Sequence, residues 1–177
     1  MGGAVAINMH RKDPSYWDGA ILMAPLCKIA DEMKPGRILL GALEMVCRIV
    51  PTWKVIPTKD ILDKVCKDPD LREQIRSNEY IHKENIPLKT GHQLLVAAAD
   101  IENNLHQVTI PFLVLHGGDD IVTNPSVSKL LYEKASSHDK TLKIYPGMWH
   151  ALTGEAPEDV ELVFSDVIYW LDQRSSS

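Results

Sequence analysis

Apolar and polar residues follow two different rhythms along this chain. Three short stretches are largely unbroken apolar runs: AILMA at 20–24, PFLVLH at 111–116 and TLKIY at 141–145. Runs of that length suit strands of a parallel sheet covered on both faces, so these three are expected to be strands. Elsewhere the apolar residues recur at helical spacing. Residues 3–10 form one such pattern, and PGRILLGALEMVCRIV, with Pro35 near its start, forms a second. TKDILDKVCK follows with Thr58 as a capping candidate, then DPDLREQIRSNEY with Asp68 as cap and Pro69 in the first turn. A longer helix is expected from about residue 90 through TGHQLLVAAADIENNLHQV. PSVSKLLYEKA opens with Pro125 after Asn124, and PEDVELVFSDVIYWLDQ sets Val160, Val163, Val167, Ile168 and Leu171 on one face. Strands that alternate with helices imply an α/β protein with a parallel sheet. Residues 27–106 carry helical patterns and read as a helical cap inserted into a core made of 1–26 and 107–177.

Composition narrows the class. The 177 residues are 45% hydrophobic and 24% charged, which suits one globular domain with its own core. A net charge of -5 and a pI near 5.8 offer no basic face for nucleic acid. ILMAPLC and LLVAAA are far too short to span a bilayer, and no basic segment followed by an apolar run marks a signal peptide. Cys27, Cys47 and Cys66 are an odd number without C-x-x-C spacing, so a reduced, cytoplasmic protein is expected. The histidines lack metal-ligand spacing, and no metal or cofactor is expected.

In open α/β sheets functional residues collect in loops at the carboxyl ends of strands. Two such loops are polar here, HGGDDIV and PGMWHAL. Asp120 and His150 lie thirty residues apart with one helix and one strand between them, a unit that returns the chain to the same rim. A carboxylate beside an imidazole fixes its tautomer, stabilises the imidazolium and leaves Nε2 free as a base. Taken singly, Asp120 also suits a turn, and His150 also suits a satisfied loop histidine. Asp119 reads as a solvated loop residue, and His116 as structural, closing the turn with Gly117. His10, His82, His92, His106 and His138 read as surface or cap residues. Among possible nucleophiles, Ser15 sits in a loop before a strand, Ser126 and Ser128 lie in the helix after the aspartates, and Cys27 has no thiolate-stabilising pattern.

The opening MGGAVAINMH fits the tail of a nucleophile elbow, G-x-S-M-G-G-A-V-A. With DGAILMAPLCKIADEM, FLVLHGGDDIVTNPSVSKLLYEKA and YPGMWHALTGE, it makes the sequence resemble the monoacylglycerol lipase-like branch of the α/β-hydrolases, which includes the plant caffeoylshikimate esterases. The resemblance runs through the whole chain and covers the C-terminal part of that family's fold. It implies three parallel strands with flanking helices, a helical cap, and a serine carboxylic-ester hydrolase. Monoacylglycerol, lysophospholipid, caffeoyl or other acyl esters are the implied substrates. By the same resemblance Asp120 and His150 complete the triad, and the backbone N–H of Met1 is an oxyanion donor, here an ammonium. The serine falls one residue before Met1. The chain is therefore expected to hold the orienting acid and the base without their nucleophile, and to be inactive as it stands. The rival expectation is a non-catalytic binding protein or pseudoenzyme built on the same fold. The cap stripe Ile38, Leu39, Ala42, Leu43, Val46, Ile49 and Val50 is expected to pack as core, with Leu39, Leu43 and Val46 also lining a substrate pocket. A small acyl-ester or lipid substrate, peripheral membrane contact through the cap and self-association along the edge of AILMA are the expected partners.

Overall fold

The computed structural model describes residues 1–28, 36–58 and 60–175, with 37–40 described by their backbone alone. The side chains of Ile38 and Leu39 thus lie outside the described residues. In chain order the elements are α1 (Gly2–Lys12), β1 (Ala20–Met23), α2 (Arg37–Ile49), β2 (Lys54–Ile56), α3 (Pro69–Ser77), β3 (Ile86–Pro87), α4 (Leu88–Asn103), β4 (Phe112–Gly117), α5 (Pro125–Lys134), β5 (Lys140–Tyr145) and α6 (Pro157–Ser175). Single 3-10 turns lie at Leu62–Lys64, Leu105–Gln107 and Leu152–Gly154.

The three apolar runs form one parallel sheet in the order β1-β4-β5, with Leu22 beside Val114 and Val114 beside Leu142. Central β4 is buried at every position, as a parallel strand covered on both faces must be. Successive side chains of a strand point to opposite faces. Phe112 and Val114 therefore join Ile7 of α1, Ile101 of α4 and Leu131 of α5 in one cluster. Leu113 and Leu115 join Met148, Leu152, Val163 and Trp170 in the other. The caps follow local chemistry. Asp68 Oδ1 accepts from the amides of Asp70 and Leu71 at the start of α3, and Asn124 Oδ1 accepts from the amide of Ser126 at the start of α5.

Four expectations fail. TKDILDKVCK forms a 3-10 turn and not a capped helix: Asp60 receives the Leu62 amide, and the Thr58 hydroxyl donates to the Glu84 carbonyl. Its flanks are committed elsewhere, since β2 pairs antiparallel with β3 and Val65 accepts from the Ala151 amide. On α6 the buried positions are Val163 and Trp170 with Val167 packed beside them, while Ile168 and Leu171 are exposed. Spacings of four and seven define one narrow face that leaves 168 and 171 outside. His10, expected at the surface or in the cap, is buried on α1, where its Nε2 accepts from the Thr109 amide; His92 is buried on α4, within 27–106. On α2 the stripe does not pack as core: Ala42, Val46, Ile49 and Val50 are exposed, Leu43 is half-buried, and Cys47 is the buried residue. The β2–β3 pair had no readable signal, being two to three residues long and ending in Pro87. Among the described residues no helix is long and apolar enough to cross a membrane.

Candidate active site

The carboxyl ends of β4 and β5 lie side by side, His116 beside Ile144 and Gly117 beside Tyr145. The loops that leave them therefore start as neighbours. Their closeness depends on Gly117: a Cβ there would lie 2.2 Å from the Trp149 carbonyl oxygen and 2.5 Å from that of Met148. Backbone bonds complete the seam, from the Gly118 amide to the Tyr145 carbonyl (2.7 Å) and from the Asp119 amide to the Met148 carbonyl (2.9 Å). Asp119 is exposed, whereas Asp120 turns inward.

The structure brings Asp120 and His150 together, with Oδ2 2.7 Å from Nδ1. The Asp120 side chain is 0% exposed and that of His150 is 30% exposed. The carboxylate is otherwise fully engaged. Oδ1 accepts from the amides of Val122 (2.7 Å) and Thr123 (3.0 Å), and Oδ2 also accepts from the Thr123 hydroxyl (2.8 Å). Burial pushes the Asp120 carboxyl upward, but the hydrogen bonds from His150, Thr123 and Val122 outweigh it and hold the group below the usual carboxylate range. An ionised Asp120 accepts, so His150 carries its proton on Nδ1 and presents Nε2 as a lone pair. Among the described residues no side chain lies within hydrogen-bond reach of that Nε2.

A second imidazole meets the same carboxylate. His116 Nε2 is 3.0 Å from Asp120 Oδ2 and 2.7 Å from the Thr123 carbonyl, while Nδ1 is 2.6 Å from Ser128 Oγ. The Thr123 carbonyl only accepts, so Nε2 carries the proton and Nδ1 receives the Ser128 hydroxyl. Burial outweighs the contacts with Thr123 and Asp120 and holds the His116 pKa below its ordinary value. Ser128, His116 and Asp120 thus have the connectivity of a triad. All three are buried, and the Ser128 hydroxyl is spent as a donor, so this array has no surface at which to meet a substrate. His116 is structural through its ties to Ser128 and Thr123 and not through the turn alone. Sequence spacing gave no hint of the Ser128 contact, although the two lie where a strand end faces the next helix.

None of the other candidates is hydrogen-bonded to Asp120 or His150 among the described residues. Met1 is the N-cap residue of α1, and no hydrogen bond or ion pair joins it to Asp120 or His150 among the described residues. Burial, partly offset by the Met1 ammonium, pushes the Cys27 thiol up to about 12, far from thiolate chemistry. Ser15 is exposed and donates to Asp13. Leu43 and Val46 lie on α2, half-buried and exposed respectively. Among the described residues no three His, Cys, Asp or Glu side chains gather so as to hold a metal ion.

The family model described as serine aminopeptidase, S33, matches residues 1–157. Over 98% of its length the chain is 40% identical to the caffeoylshikimate esterase of Arabidopsis thaliana, covering 53% of that protein. It is 32% identical to the monoglyceride lipase of Homo sapiens, which it covers to 57%. The chain therefore spans about half the length of the curated relatives it matches. Among solved structures, the monoacylglycerol lipase of Paleococcus ferrophilus superposes with a TM-score of 0.81 at 20% identity, over 97% of this chain and 65% of that one. A soluble variant of the Saccharomyces cerevisiae monoglyceride lipase superposes with a TM-score of 0.79 at 21% identity, over 97% and 59%. These likenesses show an α/β-hydrolase-like fold, three parallel strands with flanking helices.

Proposed function

Because the chain belongs to the serine aminopeptidase S33 family of hydrolases, we propose that it is the acid-and-base part of a serine carboxylic-ester hydrolase. The observation that carries this reading is the 2.7 Å contact between a buried, fully engaged carboxylate and a half-exposed imidazole at the rim of a parallel sheet. In the proposed reaction a serine hydroxyl attacks the acyl carbon while His150 Nε2 takes its proton. The same nitrogen then returns that proton to the leaving alcohol, and water repeats the cycle on the acyl-enzyme. Asp120 holds the ring and offsets the charge of the imidazolium. The elbow pattern in MGGAVA assigns the serine to the position directly before Met1, and Met1 to the oxyanion donor.

An acyl ester of glycerol or of a phenolic acid is the substrate class, in keeping with the names of the relatives. In this reading residues 27–106 form the cap. Its exposed Met45, Ile49 and Trp53 offer an apolar face to such a substrate or to a lipid surface. The β1 edge, paired on one side among the described residues, is a surface for self-association.

The test joins these 177 residues to an upstream polypeptide carrying the remaining strands and the G-x-S elbow of the Arabidopsis relative, with p-nitrophenyl esters and monoacylglycerol as substrates. Hydrolysis is expected from the joined protein and abolished by His150→Ala. The 177 residues alone are expected to show background rates. Turnover by the 177 residues that His150→Ala removes would reveal a nucleophile within them. Activity of the joined protein that survives His150→Ala would assign the base elsewhere.

A further inference from the structure

Below His150 lies a buried charge that the reaction scheme does not use. The Glu155 side chain is 0% exposed. Its Oε1 accepts the backbone amide of Trp149, the residue next to His150, at 2.5 Å. Its Oε2 receives no directed hydrogen bond; the Lys67 ammonium, 2.6 Å away, is its compensation. Lys67 Nζ also donates to the Gly147 carbonyl (2.7 Å) and lies 5.4 Å from the centre of the Trp149 ring. One ammonium thus grips the histidine loop at both ends, through Gly147 at its start and Glu155 at its close.

Lys67 does not belong to that loop. It comes from the helical stretch between β1 and β4, and the backbone around it is stitched to the loop as well. The amides of Lys67 and Asp68 donate to the Gly154 carbonyl at 2.9 and 3.0 Å, and the Ala151 amide donates to the Val65 carbonyl at 3.0 Å. The contact is close enough that Gly154 has no room for a side chain: a Cβ there would lie 2.4 Å from Cys66 Sγ. Among the described residues Lys67 is the one cation paired with this buried carboxylate, and because it arrives from another segment, separating the two segments would strand a charge in the interior.

We propose that Lys67 and Glu155 are positioning residues for His150, a latch by which the segment at 65–68 sets the imidazole against Asp120. This rests on the reading of His150 as the base. With the latch closed, the Trp149 amide is fixed and the Nδ1–H of His150 points at Asp120. With the latch open, the loop keeps its covalent path but loses the anchor one residue before the ring. Displacement of the 65–68 segment, by substrate or by a lipid surface, then moves the base.

NMR of the 177-residue chain tests this without catalysis. The expected marker is a far-downfield Nδ1–H proton of His150, assigned through its loss in His150→Gln. Asp120→Asn should remove it; persistence there would sink the Asp120–His150 pairing itself, and with it the proposed base. Lys67→Met should abolish or broaden the marker, while Lys67→Arg retains it. Where Lys67→Met fails to fold because Glu155 is stranded, the double variant Lys67→Met/Glu155→Leu removes both charges and should still lose the marker. A folded Lys67→Met or double variant with an unshifted marker would overturn the latch and leave the base assignment standing. The unsubstituted chain supplies a further check. The Trp149 amide should exchange with solvent at least roughly tenfold more slowly than exposed loop amides, and rapid exchange would overturn the latch with no variant made.

Discussion

The strand-end loops and the helical stretch from 36 to 106 use the same amino-acid types in opposite ways. In the loops after β4 and β5 both carboxylate oxygens of Asp120 are engaged, and the glycine between them is fixed by backbone atoms 2.2 and 2.5 Å from where its Cβ would be. In the helical stretch apolar residues stand in solvent: Ile49 is 76% exposed, and Met45, Trp53 and Tyr80 are exposed too. Its charges pair on the surface, Arg76 with Asp60 and Asp63, and Arg48 with Glu44. The first region is over-determined by hydrogen bonds and close packing. The second is held mainly by backbone and a few buried anchors, among them Cys66 and the Lys67 contact with Glu155. A substitution is therefore felt according to region more than according to residue type.

The largest contrast is chemical. In the joined protein, Asp120→Asn should lower kcat by about 10⁴, by analogy with the protease triad, because the amide cannot hold the ring in the same tautomer. Asp119→Asn, one residue away and exposed, should leave the rate unchanged. If Asp119→Asn is the dead variant and Asp120→Asn the active one, the inward carboxylate is not the orienting acid. The next contrast is mechanical. Gly117→Ala places a methyl group against the Trp149 and Met148 carbonyls, which cannot rotate away as a side chain can. A loss of about 3 kcal/mol is expected from the urea midpoint, with the downfield proton of His150 lost as well. A neutral outcome would mean that the two loops are not locked together.

How much of this was legible beforehand also divides by region. The three strands lie within a residue of the apolar runs, because a parallel strand buried on both faces writes its whole length in apolar residues. The closeness of Asp120 and His150 follows from one helix and one strand returning the chain to the same rim, a topological rule that spacing alone invokes. The Ser128–His116 contact and the Lys67–Glu155 pair were not legible. Each joins segments whose relative placement comes from packing, twelve residues apart in one case and eighty-eight in the other. On α2 the periodic stripe was visible, but periodicity states which residues share a face and not what covers that face.

Acid should separate the regions a third time. Burial holds the pKa values of His116 and His10 below the ordinary histidine value. As pH falls through about 6.5, the unfolded chain takes up protons that the folded chain refuses. Their contribution is therefore complete above that pH and is lost from there down to the folded pKa values. Asp120, held below the usual carboxylate range despite its burial, adds a second stage below about pH 4. Urea midpoints between pH 7 and 5 should fall, and His116→Gln should flatten that slope. In the helical stretch, bonds from the Leu62 amide and from Arg76 lower the Asp60 pKa, and those from Lys54 lower that of Glu84. Both groups are exposed. Salt at 1 M, with a Debye length of about 3 Å, should weaken these surface pairs and leave the histidine stage in place. A histidine stage that salt erased would mean that His116 is not shielded from solvent.

The smallest expected effect is the sharpest test of the comparison. Ile and Ser have similar helix propensities, so Ile49→Ser at the last residue of α2 changes little except apolar contact. With Ile49 76% exposed, there is little contact to lose, and the urea midpoint should shift by no more than about 0.5 kcal/mol. Leu131, buried in the core beneath β4, should cost about 2–5 kcal/mol as Leu131→Ala. If Ile49→Ser proves as costly as that, something covers α2 in solution and the helical stretch is packed after all. If its cost is small for the dilute chain but rises with protein concentration, or appears only with vesicles present, the cover is a second copy or a lipid surface. The exposed stripe would then be a contact face, and the latch at Lys67 would connect that face to His150.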